Sequence, residues 1–304
     1  MIPETTRRSL LQLGAAGLAA GILGSSARLA RAIAPPSRNG ASKLKLSLAA
    51  YSYRDLLLAK PPQLSLDDFI ADCARFGLEG AELTSYYFPQ PVTREYLVHL
   101  KGLCFRLGLD VSGTAIGNNF CLPPGEKRAQ EIATAKRWIE HADVLDAPVI
   151  RIFSGGAESS QSPADAHHLV ISAIEECCQT AGEHGIYLAL ENHGGLTATA
   201  DGLLSLVHDV KSPWFGVNLD TGNFHSDDIY GDLARVAPYA VNVQVKVVTS
   251  GPDGKKQPSD YGKLAKILRD AGYRGYVALE FEEPGNPREE CAKHIEKLRA
   301  AFAM

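Results

Sequence analysis

Short apolar runs rich in β-branched residues recur eight times along this chain, each followed by a longer stretch with helical spacing. No other feature constrains the fold as much. The candidate strands are 45–50, 80–84, 110–115, 149–153, 186–191, 215–220, 240–247 and 276–282. Between them apolar residues recur at helical intervals, as in Leu66, Phe69, Ile70, Cys73 and Ala74. Ser65 before Leu66-Asp67-Asp68 and Ser162-Pro163 before Ala164-Asp165 are helix-start signatures. Gly77, Gly108, Gly185 and Gly272 each end a helical stretch and precede a strand, as C-terminal caps do. Eight such units in about 270 residues match a single (β/α)8 TIM barrel. A doubly wound open sheet is the competing α/β architecture. It lacks support because Ala49-Ala50-Tyr51-Ser52-Tyr53 stands where a Gly-rich dinucleotide turn would follow the first strand.

Residues 1–42 stand apart from this pattern and read as a signal peptide with its linker, which leaves 43–304 as the catalytic barrel domain. Thr6-Arg7-Arg8-Ser9-Leu10-Leu11 sets two arginines before an uncharged stretch rich in Ala and Gly, Leu10 to Leu23. That stretch is short and weakly apolar for a membrane span, which needs about 20 strongly apolar residues. Ala30-Arg31-Ala32 offers a small-x-small cleavage site, and a Pro- and Ser-containing linker follows around Pro35 to Ser42. The segment resembles a twin-arginine signal, which implies passage through the twin-arginine export machinery and a periplasmic or exported location. Left uncleaved, it would serve as a membrane anchor.

Composition removes other classes. Of 304 residues, 31 are Lys or Arg and 35 are Asp or Glu, a formal charge of −4 with no long basic run. A nucleic-acid binder held by phosphate neutralisation is therefore not expected. The six cysteines form no C-x-x-C pair, so a zinc ribbon or redox motif is not expected and buried free thiols are the default. Monomer and homo-oligomer both stay open.

The late strands end on polar groups where a core strand should end on apolar ones. Glu191, Asp220, Gln244 and Glu280 are spaced by about one βα unit each, so in a parallel barrel they converge at the C-terminal face. Carboxylates gathered that closely repel one another, and a divalent cation relieves the repulsion. Hard oxygen donors without cysteine favour Mn²⁺ or Mg²⁺, with Zn²⁺ or Co²⁺ as further candidates. Strand parity adds His193, Lys246 and Glu282 to the same mouth, two residues beyond Glu191, Gln244 and Glu280. Arg151 and Glu82 sit within otherwise apolar strands and either pair with each other or touch a polyhydroxyl or anionic ligand. His225 reads as a solvent histidine. Tyr51, Tyr53, Phe153 and Phe224 are candidates for an apolar wall against a sugar ring. The segment 249–258 reads as a solvated loop, with a lid or phosphate-binding loop as the alternative.

Four ordered segments carry a family resemblance: Leu190-Glu191-Asn192-His193-Gly194-Gly195, Asn218-Leu219-Asp220-Thr221-Gly222-Asn223, Val243-Gln244-Val245-Lys246 and Gly275-Tyr276-Val277-Ala278-Leu279-Glu280. Together they resemble the xylose isomerase-like TIM-barrel superfamily, within it the sugar phosphate isomerase/epimerase group with its ketose 3-epimerases and inosose dehydratases. The resemblance implies a Glu–Asp–His–Glu metal site, onto which Glu191, Asp220 and Glu280 fit. The third ligand departs from the pattern, because Gln244 stands in the family's His-x-Lys; Asn223 stands where many members have a substrate-contacting histidine. The implied chemistry is metal-dependent isomerisation or epimerisation of a carbohydrate through an enediolate. Glu191 and Glu280 would act as acid/base catalysts and ligands, and Lys246 and His193 would face the oxyanion. Arg151, Glu82, Tyr51, Asn223 and Glu282 complete the expected substrate contacts. An exported enzyme meets free sugars and glycosides, so an unphosphorylated carbohydrate or keto-sugar is the expected substrate. Elimination from a keto-sugar or inosose through the same enediolate is the alternative, and a non-catalytic carbohydrate-binding barrel is a third reading.

Overall fold

Eight parallel strands close on themselves in a computed structural model that describes residues 33–303. The first seven are β1 (Lys43–Ala49), β2 (Gly80–Thr84), β3 (Asp110–Ala115), β4 (Val149–Ile152), β5 (Tyr187–Glu191), β6 (Phe215–Asp220) and β7 (Ala240–Lys246). Two short strands outside the barrel follow, β8 (Val248–Ser250) and β9 (Lys256–Pro258), and β10 (Arg274–Glu280) is the eighth barrel strand. Each barrel strand pairs with its predecessor, and β10 pairs with both β7 and β1, which closes the sheet without an edge. The strands are apolar on both faces because one face meets the barrel interior and the other the helices. Leu188, Leu190, Val217, Val243, Val277 and Leu279 are fully buried. The architecture is a single (β/α)8 barrel.

The outer layer consists of α1 (Leu66–Arg75), α2 (Arg94–Arg106), α3 (Glu126–Leu145), α4 (Pro163–His184), α5 (Ala200–Asp209), α6 (Ile229–Val236), α7 (Tyr261–Asp270) and α8 (Pro287–Ala303), with a one-turn helix at Arg54–Leu57. The start signals act as their chemistry dictates. The Ser65 hydroxyl accepts from the Asp68 amide at 3.2 Å while the Asp68 carboxylate accepts from the Ser65 amide at 2.8 Å. Ser162 caps α4 ahead of Pro163. Gly185 ends α4 in the left-handed conformation at φ 70°, which a side chain would strain.

Two details depart from expectation. The last strand runs 274–280 rather than 276–282, so Glu280 is its terminal residue and Glu282 lies just beyond. The segment 249–258 is not a plain loop, because β8 and β9 pair as an antiparallel hairpin beside the mouth. Within the linker segment, Arg38 is bonded to the barrel's N-terminal face. The Arg38 guanidinium donates to the carbonyls of Pro238, Ala271 and Ala240 and lies 5.3 Å from the Tyr273 ring centre. The twin-arginine motif falls outside the described residues. Among those described, no helix is long and apolar enough to cross a membrane. The six cysteines are buried free thiols.

Candidate active site

Strand alternation points polar residues of β2, β4, β5, β6, β7 and β10 into the barrel, and they form two connected tiers. The lower tier is a closed hydrogen-bond network. Glu82 accepts from the Asn242 amide at 2.8 Å and from the Gln244 amide at 2.6 Å. Asn242 also donates to the Asn218 carbonyl oxygen at 2.8 Å, and Asn218 donates to the Gln244 carbonyl oxygen at 2.7 Å. Register shifts occur at Ala81/Glu82 and at Val217/Asn218, where two of these residues enter the interior. Burial pushes the Glu82 carboxyl up to about 7, against the two amide donors that favour its charged form.

The upper tier carries the charges. Arg151 Nε lies 2.9 Å from Glu191 Oε2, with both side chains almost wholly buried. Arg151 also donates to the Ile116 carbonyl at 2.6 Å, and its guanidinium lies 3.9 Å from the Phe153 ring centre. Glu191 accepts from Asn223 at 2.9 Å and from Asn218 at 3.4 Å. Burial pushes its carboxyl well above the usual carboxylate range, against the pull of Arg151. The Lys246 ammonium lies 2.5 Å from Glu280, 2.7 Å from Glu282 and 3.4 Å from Asp220. Burial opposes its charge, but these three carboxylates outweigh burial and hold its pKa well above the usual lysine value. Burial also lifts Asp220 to about 7 against the pull of Lys246. Asp220 Oδ1 accepts from the Gly222 amide at 2.8 Å, whereas buried Oδ2 has no hydrogen-bond partner.

A cavity of about 190 Å³ opens above this tier, lined by Tyr51, Tyr86, Arg151, Phe153, Glu191, His193, Lys246, Glu280 and Glu282. It is smaller than the cavities of about 300–1,000 Å³ that hold drug-sized ligands, so it suits one small polar molecule. Aromatic rings form much of its wall: Phe153 and His193 pack with ring centres 4.4 Å apart, and Tyr51 meets Tyr86 edge-on at 6.3 Å. Burial and then Arg151 lower the His193 pKa, which keeps the imidazole neutral near pH 7. A second cavity of about 270 Å³ adjoins it across Lys246, Glu280 and Glu282, and there Asn223, His225 and the hairpin form the wall.

The structure sorts the sequence candidates into three groups. Tyr51, Arg151, Glu191, His193, Lys246, Glu280 and Glu282 meet at the first cavity. Asn223 faces the second while holding Glu191. Glu82, Asp220 and Gln244 lie beneath, at 0, 0 and 1% exposure, so Glu82 is a tie in the lower network rather than part of the cavity wall. Arg151 pairs with Glu191 and not with Glu82, because β4 and β5 are neighbours and β2 is two strands away. Of the proposed aromatic wall only Tyr51 and Phe153 face the cavity. Tyr53 bonds buried Asp72 at 3.1 Å and Phe224 is core. Tyr86, Asn218 and Asn242 were not singled out as site residues from the sequence, although strand parity marks the two asparagines; Tyr86 lies in the 3-10 turn after β2, where parity does not apply. Asn218 and Asn242 precede Asp220 and Gln244 by two residues.

The metal expectation fits these residues poorly. Among the described residues no three His, Cys, Asp or Glu side chains are disposed to share one ion. The Gln244 oxygen is taken by Asn218 and its nitrogen by Glu82, so the expected third ligand is turned into the lower tier. The Lys246 ammonium stands against two of the carboxylates that were to hold the cation, Asp220 and Glu280, and the third, Glu191, is paired with Arg151.

Known structures share this architecture. D-psicose 3-epimerase from Clostridium cellulolyticum H10, with D-tagatose, matches with a TM-score of 0.71 at 17% identity, over 85% of this chain and 99% of that one. The probable 3-DHS dehydratase of petrobactin synthesis from Bacillus anthracis matches at 0.67 and 19%, over 84% and 98%. The 3-keto-D-glucoside 4-epimerase from E. coli matches at 0.63 and 16%, over 85% and 99%. At such identities the likeness shows the fold. Among curated proteins none matches the chain in sequence. The family model for the xylose isomerase-like TIM barrel matches residues 70–301, most of the chain and all the strands from β2 onward. The chain therefore belongs to the xylose isomerase-like TIM-barrel family.

Proposed function

We propose that the protein is a carbohydrate isomerase or epimerase that moves a proton next to a carbonyl of an unphosphorylated sugar or keto-sugar. The observation that carries this reading is the cavity itself. Two buried carboxylates, Glu191 and Glu280, share a small aromatic-walled space with three nitrogen groups, Arg151, Lys246 and His193. Proton abstraction beside a carbonyl needs that combination: a base at the C–H, and donors where negative charge develops on oxygen. One of Glu191 and Glu280 takes the proton and the other returns it. The fixed positive charges of Arg151 and Lys246 stabilise the enediolate oxygens, while neutral His193 donates or accepts a hydrogen bond from a hydroxyl. Tyr51, Tyr86 and Phe153 provide faces for the apolar side of a sugar ring and narrow the access of water.

The charges argue against a phosphate. Each Lys or Arg that lines the two cavities is matched by carboxylate: Arg151 by Glu191, Lys246 by Glu280 and Glu282, Lys256 by Glu283 at 2.7 Å. On the hairpin tip, Lys255 pairs with Asp253 at 2.9 Å. A dianion entering this field would meet more carboxylate than free cation, whereas neutral hydroxyls find both donors and acceptors. The expected divalent metal has no complete ligand set here, and none of these steps is assigned to one.

The test is a panel of free, phosphorylated and 3-keto sugars incubated with purified protein and read by product mass and NMR. Isomer formation from unphosphorylated members supports the reading. Loss of water from the product assigns elimination instead. Calorimetric binding without turnover, with or without added metal, reduces the site to a binding barrel.

A further inference from the structure

We infer that the Lys246 ammonium is the resident cation of this mouth, standing between Asp220, Glu280 and Glu282 and compensating their charge in place of a divalent metal. The inference deepens the proposed function by naming what compensates the carboxylate charge during catalysis, and it rests on that reading for its kinetic arm only.

An ammonium has three N–H donors and no acceptor. Lys246 finds three carboxylates around it, Glu280 at 2.5 Å, Glu282 at 2.7 Å and Asp220 at 3.4 Å. Its approach is fixed along its whole length. The Lys246 amide donates to the Thr221 hydroxyl at 3.0 Å. The side chain then passes directly over Gly222, where a methyl group in place of the glycine hydrogen would come within 2.6 Å of Lys246 Cγ and 2.8 Å of Cβ. A glycine at that point is what allows the stem to run inward, and the side chain is only 10% exposed. Gln244 cannot join a cation at this place without breaking bonds at both ends of its amide, to Asn218 and to Glu82. A divalent ion seated among Asp220, Glu280 and Glu282 would also stand against the ammonium and meet its repulsion. Lys246 therefore supplies the positive charge facing a developing oxyanion, and proton transfer at this mouth needs no added metal.

The experiment uses the full chain, dialysed against chelator, with metal content by mass spectrometry and thermal unfolding with and without millimolar Mn²⁺ or Mg²⁺. The wild type is expected to hold no stoichiometric metal and to keep its Tm when either ion is added. Lys246→Met leaves three carboxylates without their cation. Its Tm should fall, and Mn²⁺ should restore it with binding at least about tenfold tighter than to the wild type. Gln244→His, with Lys246 in place, should still take up no metal. This variant keeps the test decisive should Lys246→Met not fold. One equivalent of Mn²⁺ bound by wild type or by Gln244→His overturns the inference. Sugar turnover that requires added metal overturns it too while leaving the proposed function intact. Absence of turnover in a metal-free protein whose Lys246→Met variant binds Mn²⁺ counts against the proposed function and supports the inference.

Discussion

Replacing Arg151 by methionine keeps most of the buried length of the side chain and removes only its charge and donors. The ion pair with Glu191 spans 2.9 Å, with the two side chains only 5% and 4% exposed. At an effective dielectric of about 20, two unit charges at that distance attract by about 6 kcal/mol. Desolvation of both ions offsets much of this, so the pair's net worth is small, but stranding one ion is costly. Breaking a buried pair costs about 3–5 kcal/mol. The lost bond to the Ile116 carbonyl adds about 1 kcal/mol. Glu191→Gln strands the arginine in turn, although Asn223 can still bond the new amide oxygen. The double variant Arg151→Met/Glu191→Gln leaves neither charge behind. Urea unfolding of the four proteins should therefore show the double variant less destabilised than the two single losses together by at least about 2 kcal/mol. Single losses that simply add to within about 0.5 kcal/mol would refute a buried, mutually dependent pair.

Three further outcomes follow from the same structure. Burial lifts Glu82 to about 7 from an ordinary value of 4.5, so the folded state holds a proton that the unfolded chain has lost. That contribution is full below about pH 4.5 and is lost as pH rises through 7, by about 3 kcal/mol; Glu82→Gln should flatten this part of the stability–pH curve, and an unchanged slope would contradict the assignment. Gly222→Ala sets a methyl 2.6 Å from Lys246 Cγ and should cost about 1–3 kcal/mol in chemical denaturation while displacing the ammonium; a neutral substitution would show that the lysine does not run this way. Ser65→Ala removes one half of the capping box of α1 and should lower stability by about 1 kcal/mol, read as a fall in the urea midpoint with an unchanged m-value.

The barrel was legible because its strands are buried on both faces. Continuous runs such as Val149–Ile152 and Phe215–Asp220, punctuated by glycines and serine caps, admit few other readings, and most strand limits agree within two residues. The mouth was legible through parity, which aims Glu191, Lys246, Glu280 and Glu282 the same way. Pairing was not legible. Nothing in the order of residues says that Arg151 meets Glu191 across neighbouring strands while Glu82 turns to Asn242 and Gln244; sheet order and register decide that. The Gln244 direction is a matter of competing amides, since each end of its side chain finds a buried partner before it can reach the carboxylates. The hairpin was missed because its strands are three residues each and polar. Gly251-Pro252-Asp253-Gly254 between them was the turn signal available.

In the proposed chemistry, carboxylates in this cavity exchange a carbon-bound proton of a sugar. Its most direct measurement is incorporation of solvent deuterium at the carbon beside the carbonyl, followed by NMR in D₂O for wild type, Glu280→Gln and Glu191→Gln. Incorporation by the wild type is expected, with its loss in at least one of the two variants while both remain folded. Undiminished exchange in both variants, or conversion by the wild type with no deuterium entering that carbon, would contradict it.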